Sequence, residues 1–166
     1  MSFIDRFWGT IPRSRNSRGL RLFAALGKRV LNLLARHCPL PPAARVLLQR
    51  WRGVTIGERV FIGSEVFFDD AEPELIQIGD EATIIARAAI IAHAYYPAHL
   101  QEQLASAGQR RGVVIGPRAY VGFGATILPG VTIGEGAIIG AGAIITRDVP
   151  ARAIMLGPKA ELLRTY

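Results

Sequence analysis

The chain has 166 residues, half of them hydrophobic, and a net charge of +7. This length is typical of one domain with enough apolar residues to form a core. Cys38 is the only cysteine, which excludes an intrachain disulfide and a cysteine-ligated metal cluster and favours a reducing, cytoplasmic location. No run of about 18 apolar residues occurs, and the first ten residues lack the apolar centre of a secretory signal, so we expect neither a transmembrane helix nor a leader.

The positive charge is concentrated at the N-terminal end. Residues 1–53 contain eleven Lys/Arg and one acid, whereas residues 54–166 contain nine Lys/Arg and twelve acids. This shift predicts a boundary near Gly53. Within the basic region, residues 20–36 predict a helix with Leu26, Val30 and Leu33 on one side, and AARVLLQRWRG predicts a second short helix after the break at CPLPP.

Two roles are open for this basic region, and they are compatible with each other. Its helices would cap the exposed end of the structure that follows, where an unpaired strand edge would otherwise invite aggregation. Alternatively, a basic amphipathic helix would contact an anionic membrane surface. No nucleic-acid-binding motif or aromatic platform accompanies the charge, so nucleic acid is not an expected partner.

From residue 56 onward, a large apolar residue recurs every six positions, commonly followed by glycine or another small residue. A helix repeats every three or four residues and a strand every two, so a period of six indicates a short strand followed by a tight turn. The units begin at Ile56, Ile62, Phe68, Ile78, Ile84, Ile90, Ile115, Val121, Ile127, Ile133, Ile139 and Ile145. In every unit except that of Phe68, the residue four positions later is Ala or Val.

Three such units form one triangular coil of eighteen residues. Because a single coil cannot bury its own faces, coils must stack on one another as parallel strands. This arrangement places Ile115 against Ile133, Val121 against Ile139 and Ile127 against Ile145. The predicted interior is therefore a column of Ile and Val, with small residues between them.

The period is interrupted twice. Four extra residues fall within 69–77, a segment that begins with Asp69 and Asp70. Nineteen extra residues fall within about 95–113, which is too long for an ordinary turn and predicts a projecting loop. His93 lies immediately before this loop at an outward-facing turn position, and His99 lies inside it. Loops on a rigid scaffold commonly carry function, so these residues are candidates for a site, although an ordinary surface role is the alternative for each.

The repeat resembles that of the hexapeptide-repeat acyltransferases, and DDAEPELIQIGDEATI followed by IIAH is similar to the sugar and polysaccharide O-acetyltransferases among them. The resemblance covers about residues 54–158. It implies an all-β fold, a left-handed parallel β-helix of about four coils (56–73, 78–95, 115–132 and 133–150), with an N-terminal helical region at 1–53 and a short C-terminal tail or helix at 159–166. The left hand comes from the resemblance alone, because general rules favour right-handed crossovers.

The same resemblance implies a homotrimer, acetyl-CoA as co-substrate, and O-acetylation of a sugar or polysaccharide precursor. His93 matches the family's catalytic base, and a histidine of ordinary pKa can accept a hydroxyl proton as the oxygen attacks the thioester. Asp69, Asp70 and His99 are expected to contact the acceptor. Backbone amides at the coil turns would stabilise the oxyanion.

The family binds CoA in the groove between two subunits, along the turns of the C-terminal coils. The matching stretches here are AYVGFG, IGAGAIITRDV and LGPKAELLR. Tyr120 replaces the usual Trp, Phe123 replaces a small polar residue, and the stretch at Lys159 is one residue shorter than the family pattern. The expected CoA contacts are Tyr120, Gly122, Phe123, Ala141, Gly142, Thr146, Arg147 and Lys159.

Alternatives to an O-acetyltransferase remain open. The repeat alone would serve a non-enzymatic scaffold or binding subunit equally well, and His93 beside the loop is what favours an enzyme. Transfer to an amine, as in sugar N-acyltransferases, a longer acyl group and the acceptor's identity are not decided by the sequence. No metal is expected, because carbonic anhydrases with this β-helix hold zinc with three histidines, and only His93 and His99 lie in or near the repeat.

Overall fold

The computed structural model describes residues 18–93 and 112–157, with side chains described from residue 26 onward. Among the described residues, two helices precede the repeat, α1 (Arg18–His37) and α2 (Pro42–Arg52). Helix α2 ends at Gly53, whose φ of 110° lies in the left-handed region and whose amide bonds to Arg50. This geometry turns the chain into the first strand, since glycine adopts such a conformation without a Cβ clash.

The repeat region forms three parallel sheets that are the three faces of one prism. Sheet A contains β1 (Thr55–Ile56), β4 (Ile76–Ile78), β7 (Val113–Ile115) and β10 (Thr132–Ile133). Sheet B contains β2 (Phe61–Ile62), β5 (Thr83–Ile84), β8 (Tyr120–Val121), β11 (Ile138–Ile139) and β13 (Ile154–Met155). Sheet C contains β3 (Phe67–Phe68), β6 (Ala89–Ile90), β9 (Thr126–Ile127) and β12 (Ile144–Ile145).

The strand registers confirm the predicted stacking. Ile133 pairs with Ile115, Ile139 with Val121 and Ile145 with Ile127. All twelve residues that begin the repeat units are buried, and the most exposed of them, Ile56, is 7% exposed. The expected architecture, a left-handed parallel β-helix with an N-terminal helical region, is therefore confirmed.

Glycines in the turns serve two separate purposes. Gly122 directly follows a strand, and a Cβ there would lie 2.7 Å from the backbone nitrogen of Ala141 in the next coil. Gly124 has φ +65° with open space around it, and its amide bonds to the Ala86 carbonyl one coil away at 3.1 Å. The first glycine permits close stacking of coils, whereas the second relieves backbone strain in the turn.

Three expected boundaries need correction. Strand β4 begins at Ile76, so the first interruption is 69–75, within which Pro73–Leu75 forms a 3₁₀ turn. Strand β7 begins at Val113, so the second interruption ends before that residue. A partial fifth coil also exists: Val149 bridges to Ile133, and β13 pairs with β11. The sequence obscured this coil because Val149 arrives two residues before the six-residue period would place it.

The apolar side of α1 does not face the β-helix. Leu26, Val30 and Leu33 are 49%, 47% and 60% exposed, whereas Asn32 and Ala35 on the opposite side are buried. In the part of the chain that the structure describes, no helix is long and apolar enough to cross a bilayer. Contact of this region with a membrane surface stays a prediction.

Replacing Gly122 with Ala should destabilise the fold far more than replacing Gly124. The Gly122→Ala methyl group meets backbone atoms of the next coil and should cost about 3 kcal/mol. Gly124→Ala meets no atom and should cost about 1 kcal/mol, the strain of a left-handed alanine. Urea unfolding of both variants beside the wild type measures the difference, and equal losses would contradict the stacking argument.

Candidate active site

Asp69 and His93 come together because their strands are neighbours in sheet C. Asp69 directly follows β3, and His93 lies three residues after Ile90, the last residue of β6. These strands pair with Phe68 opposite Ile90, so residues that leave them emerge side by side. We call this edge, formed by residues 69–75, 91–93, 128–131 and 146–148, the CA corner, since the chain passes there from sheet C to sheet A.

The imidazole of His93 is held by the carboxylate of Asp69. Nδ1 of His93 lies 2.5 Å from Oδ2 of Asp69. The Asp69 side chain is 1% exposed, whereas that of His93 is 32% exposed. An ionised carboxylate only accepts, so Nδ1 carries the proton and Nε2 is the nitrogen left for a substrate.

Backbone amides complete the environment of Asp69. Its Oδ1 accepts hydrogen bonds from the backbone amides of Ala71 at 2.9 Å and Glu72 at 3.1 Å. Its Oδ2 accepts hydrogen bonds from the backbone amides of Ala92 at 2.9 Å and His93 at 3.1 Å. Burial acts to raise the pKa of Asp69, but the hydrogen bonds from His93 and the backbone amides outweigh it and lower that pKa below its ordinary value. Asp69 is therefore a carboxylate at neutral pH.

This geometry corrects the expected role of Asp69. We expected it to contact an acceptor, but its buried oxygens are already bonded to the protein. The orienting partner of His93, for which the sequence suggested no residue, is Asp69. The signal was present: a coil of eighteen residues plus the four inserted after Phe68 gives 22, which places Ile90 beside Phe68 and His93 near Asp69.

Asp70 lies at the surface of the same corner. Its side chain is 47% exposed, and its Oδ1 lies 3.2 Å from the guanidinium of Arg52 and accepts a hydrogen bond from Asn32. Arg52 and Gln49, which lies one helical turn before it, are buried. No sequence pattern indicated this, because Arg and Gln are rarely found inside a protein. Acceptor binding by Asp70 stays a prediction.

The residues expected to bind CoA lie at two different edges of the prism. The turns from sheet B to sheet C, residues 63–66, 85–88, 122–125 and 140–143, form what we call the BC corner, and Phe123, Ala141 and Gly142 are exposed there. Thr146 and Arg147 are exposed at the CA corner instead. Sheet C separates the two corners, so one chain does not gather these side chains around His93.

Three of the expected CoA contacts have surroundings that differ from one another. Gly122 is buried, and the close approach of the next coil accounts for its lack of a side chain. Tyr120 lies on the outer face of sheet B and is 40% exposed. The guanidinium of Arg87 lies 5.7 Å from the ring centroid of Phe123.

His99, Lys159 and the C-terminal tail lie outside the described residues, as does most of the projecting loop. Within 18–93 and 112–157, no group of three or more His, Cys, Asp or Glu side chains is placed to hold a metal ion.

Two family models match the repeat. The model described as "Bacterial transferase hexapeptide (six repeats)" matches residues 112–147, and "Hexapeptide repeat of succinyl-transferase" matches residues 53–86. Both parts of the repeat, before and after the projecting loop, are thus similar to the repeats of hexapeptide transferases. The resemblance to hexapeptide-repeat acyltransferases is thereby confirmed, and both model descriptions name transferases.

Solved structures agree with this fold. A maltose O-acetyltransferase from Clostridium difficile 630 is 24% identical, with a TM-score of 0.54 over 82% of this chain and 81% of that one. A galactoside acetyltransferase in complex with coenzyme A is also 24% identical, with a TM-score of 0.61 over 87% and 80%. A hexapeptide-repeat acetyltransferase from Vibrio cholerae complexed with acetyl-CoA is 18% identical, with a TM-score of 0.59 over 92% of each chain. A search of curated protein sequences gave no significant match.

We expect Asp69→Asn to destabilise this protein at neutral pH, by an amount that shrinks in acid. The folded-state pKa of Asp69 lies below its ordinary value of 3.8, so the carboxylate stabilises the fold above that value. This contribution is lost as the pH falls through the folded-state pKa. Urea unfolding of both proteins from about pH 7 to about pH 3 measures the difference.

Asp80→Asn is the matched control, because Asp80 is exposed and accepts one backbone amide, that of Glu58 at 2.8 Å. Its free energy of unfolding should stay within about 0.5 kcal/mol of the wild type. A deficit in Asp69→Asn that does not change with pH would show that the charge of Asp69 contributes nothing.

Proposed function

We propose that this protein is an acetyl-CoA-dependent O-acetyltransferase that modifies a hydroxyl of a sugar or polysaccharide precursor. The observation that carries the proposal is the His93–Asp69 pair, in which a buried carboxylate lies 2.5 Å from Nδ1 of a partly exposed imidazole. Such a pair fixes the tautomer of the base and stabilises the imidazolium formed when the base takes a proton. A cytoplasmic location, favoured by the single cysteine, is part of the proposal.

In the proposed reaction, Nε2 of His93 removes the proton of the acceptor hydroxyl as its oxygen attacks the thioester carbonyl carbon. The resulting tetrahedral oxyanion collapses, and the carbon–sulfur bond breaks. The thiolate of CoA leaves with the proton that His93 held, which gives the free thiol and an O-acetyl ester. Asp69 stays ionised throughout and stabilises the charged imidazole through Nδ1.

The features of the BC corner fit the long, thin pantetheine arm of CoA. Ala141 and Gly142 are exposed, and a Cβ at Gly142 would meet no atom within 4 Å, so the corner is open. Phe123 is 48% exposed beside them and offers an apolar surface. Two of the similar structures contain CoA or acetyl-CoA, which supports this donor.

The separation of the two corners supports a trimer with sites between subunits. His93 at the CA corner of one chain would face the BC corner of the next, which completes a site that a single chain lacks. Exposed apolar side chains on the outer face of sheet B, where Tyr120, Ile138 and Ile154 are 40%, 42% and 63% exposed, would be covered by such packing. A cyclic trimer is the assembly that the family resemblance implies.

A sugar hydroxyl is the acceptor class most consistent with the comparisons, since two of the similar proteins are named for maltose and a galactoside. Asp70, exposed beside the pair, offers a carboxylate that a polyol would bond. Turnover on a panel of sugars and amino sugars distinguishes this proposal from an N-acyltransferase and from a scaffold without catalysis.

His93→Ala should abolish acetyl transfer while it leaves acetyl-CoA binding unchanged. Loss of a general base typically lowers turnover by about 10²- to 10⁴-fold. Calorimetry measures acetyl-CoA binding, and release of the CoA thiol measures turnover on maltose, galactosides, other sugars and amino sugars. His37→Ala is the control, because His37 is exposed at the end of α1. Failure of the wild type to bind acetyl-CoA would contradict the proposal. Turnover only on amines would show that the protein is an N-acyltransferase.

Two inactive variants should restore activity when they are produced together. Ala141→Glu would repel the anionic donor at the BC corner, and His93→Ala removes the base at the CA corner, so each variant alone should be inactive. In mixed trimers, about one quarter of the sites should combine an intact corner from each chain. Thiol release by co-expressed, differently tagged chains measures the recovery. A mixed assembly with no activity, or a monomer by light scattering, would contradict shared sites.

A further inference from the structure

Arg52, at the end of α2, is a fully buried cation, 0% exposed. Its Nη1 donates to Oε1 of Gln49 at 2.6 Å and to Oδ1 of Asn32 at 3.1 Å. Its Nη2 donates to the backbone carbonyl of Asp69 at 2.9 Å and to Oδ1 of Asp70 at 3.2 Å. Burial of an unpaired charge is strongly unfavourable, so the position of Arg52 depends on these four partners.

The side of α1 that faces the prism is polar. Lys28, Asn32 and Arg36 are four residues apart and therefore share one face of the helix. Lys28 lies 3.2 Å from Glu74, Asn32 donates to Asp70, and the guanidinium of Arg36 lies 5.1 Å from the ring centroid of Phe67. All three contacts therefore fall within residues 67–74, the stretch that contains Asp69.

A helix that served only as a cap would bury its apolar side against the prism. Here Leu26, Val30 and Leu33 are exposed, and polar contacts attach the helix to the stretch that carries the carboxylate. Polar contacts from both α1 and α2 thus reach the segment that carries Asp69.

We propose that Arg52 is a positioning residue for the His93–Asp69 pair, and that the N-terminal helices are part of the catalytic architecture. This inference rests on the proposed function. Arg52 fixes the carbonyl of Asp69, while the amides of Ala71 and Glu72 fix its carboxylate. Asp69 is therefore held on both sides of its Cα atom. Its hydrogen bond with Nδ1 then orients the imidazole of His93.

The variants that test this inference are Arg52→Ala and Arg52→Lys, with Arg50→Ala as a matched control. Arg50 lies on the same helix and also binds backbone carbonyls, those of Ile56 at 3.1 Å and Gly57 at 2.5 Å, but these lie at the end of β1 and not at the CA corner that carries Asp69 and His93. Circular dichroism and light scattering verify that each variant is folded and assembled as the wild type is.

In Arg52→Ala we expect kcat to fall about 10- to 100-fold, the usual effect of losing a group that orients a catalytic side chain, with KM for acetyl-CoA unchanged. Arg52→Lys should not recover the loss, because one ammonium nitrogen cannot replace both Nη1, which binds the two helices, and Nη2, which binds Asp69 and Asp70. Added guanidinium ion should restore part of kcat to Arg52→Ala and none to Asp69→Asn. Arg50→Ala should keep the wild-type kcat. A folded Arg52→Ala with wild-type kcat, or a loss that guanidinium does not reverse, would overturn the inference.

A second measurement needs no turnover and therefore separates this inference from the proposed function. The ring ¹⁵N chemical shifts of His93 report which of its nitrogens carries the proton and in what proportion. The signals are assigned to His93 by their absence in His93→Gln. We expect the Nδ1-protonated form in the wild type and a mixture of tautomers in Arg52→Lys or Arg52→Ala. If Arg52→Ala does not fold, Arg52→Lys carries the test. Identical ¹⁵N shifts in wild type and folded variant would overturn the positioning role even if the protein acetylates nothing.

Discussion

The stacking distance between successive coils is the constraint on which the rest of the structure depends. Parallel strands lie about 4.8 Å apart, so each coil must accept the next at that spacing along all three faces. Gly122 shows how strict this is, since even a methyl group there would enter the backbone of the following coil. The column of buried Ile and Val residues contributes the apolar energy that makes the stack stable.

The same spacing creates the site. Residues at equivalent positions of neighbouring coils lie one strand apart, within reach of a hydrogen bond. Asp69 and His93 are 24 residues apart in the chain, yet they meet because β3 and β6 are adjacent in sheet C. The burial that stabilises the stack also encloses the carboxylate, whose pKa stays low because amides and the imidazole donate to it. One rigid scaffold thus supplies both the fold and an oriented imidazole.

The N-terminal helices are attached to this scaffold by polar contacts and by Val46 of α2, which belongs to the apolar core. Arg52 and Asn32 connect both helices to the segment that carries Asp69 and Asp70. Burying a charge is unfavourable unless every partner is in place, so this connection is specific in geometry. These polar contacts leave the apolar side of α1 exposed.

The sequence by itself determined the stacked-coil architecture, because a six-residue period requires short strands and tight turns that stack in parallel, whereas the hand of the β-helix came from the family resemblance. It also singled out His93, from its place beside the break in the period. It did not identify Asp69 as the partner of His93, because two adjacent acids in a turn look like acceptor contacts until the inserted residues are counted into the register. Arg52 could not be found at all, since no local pattern marks a buried arginine. Only the tertiary structure showed where these two residues lie, because burial and hydrogen-bond partners depend on which segments of chain meet and not on the order of residues along it.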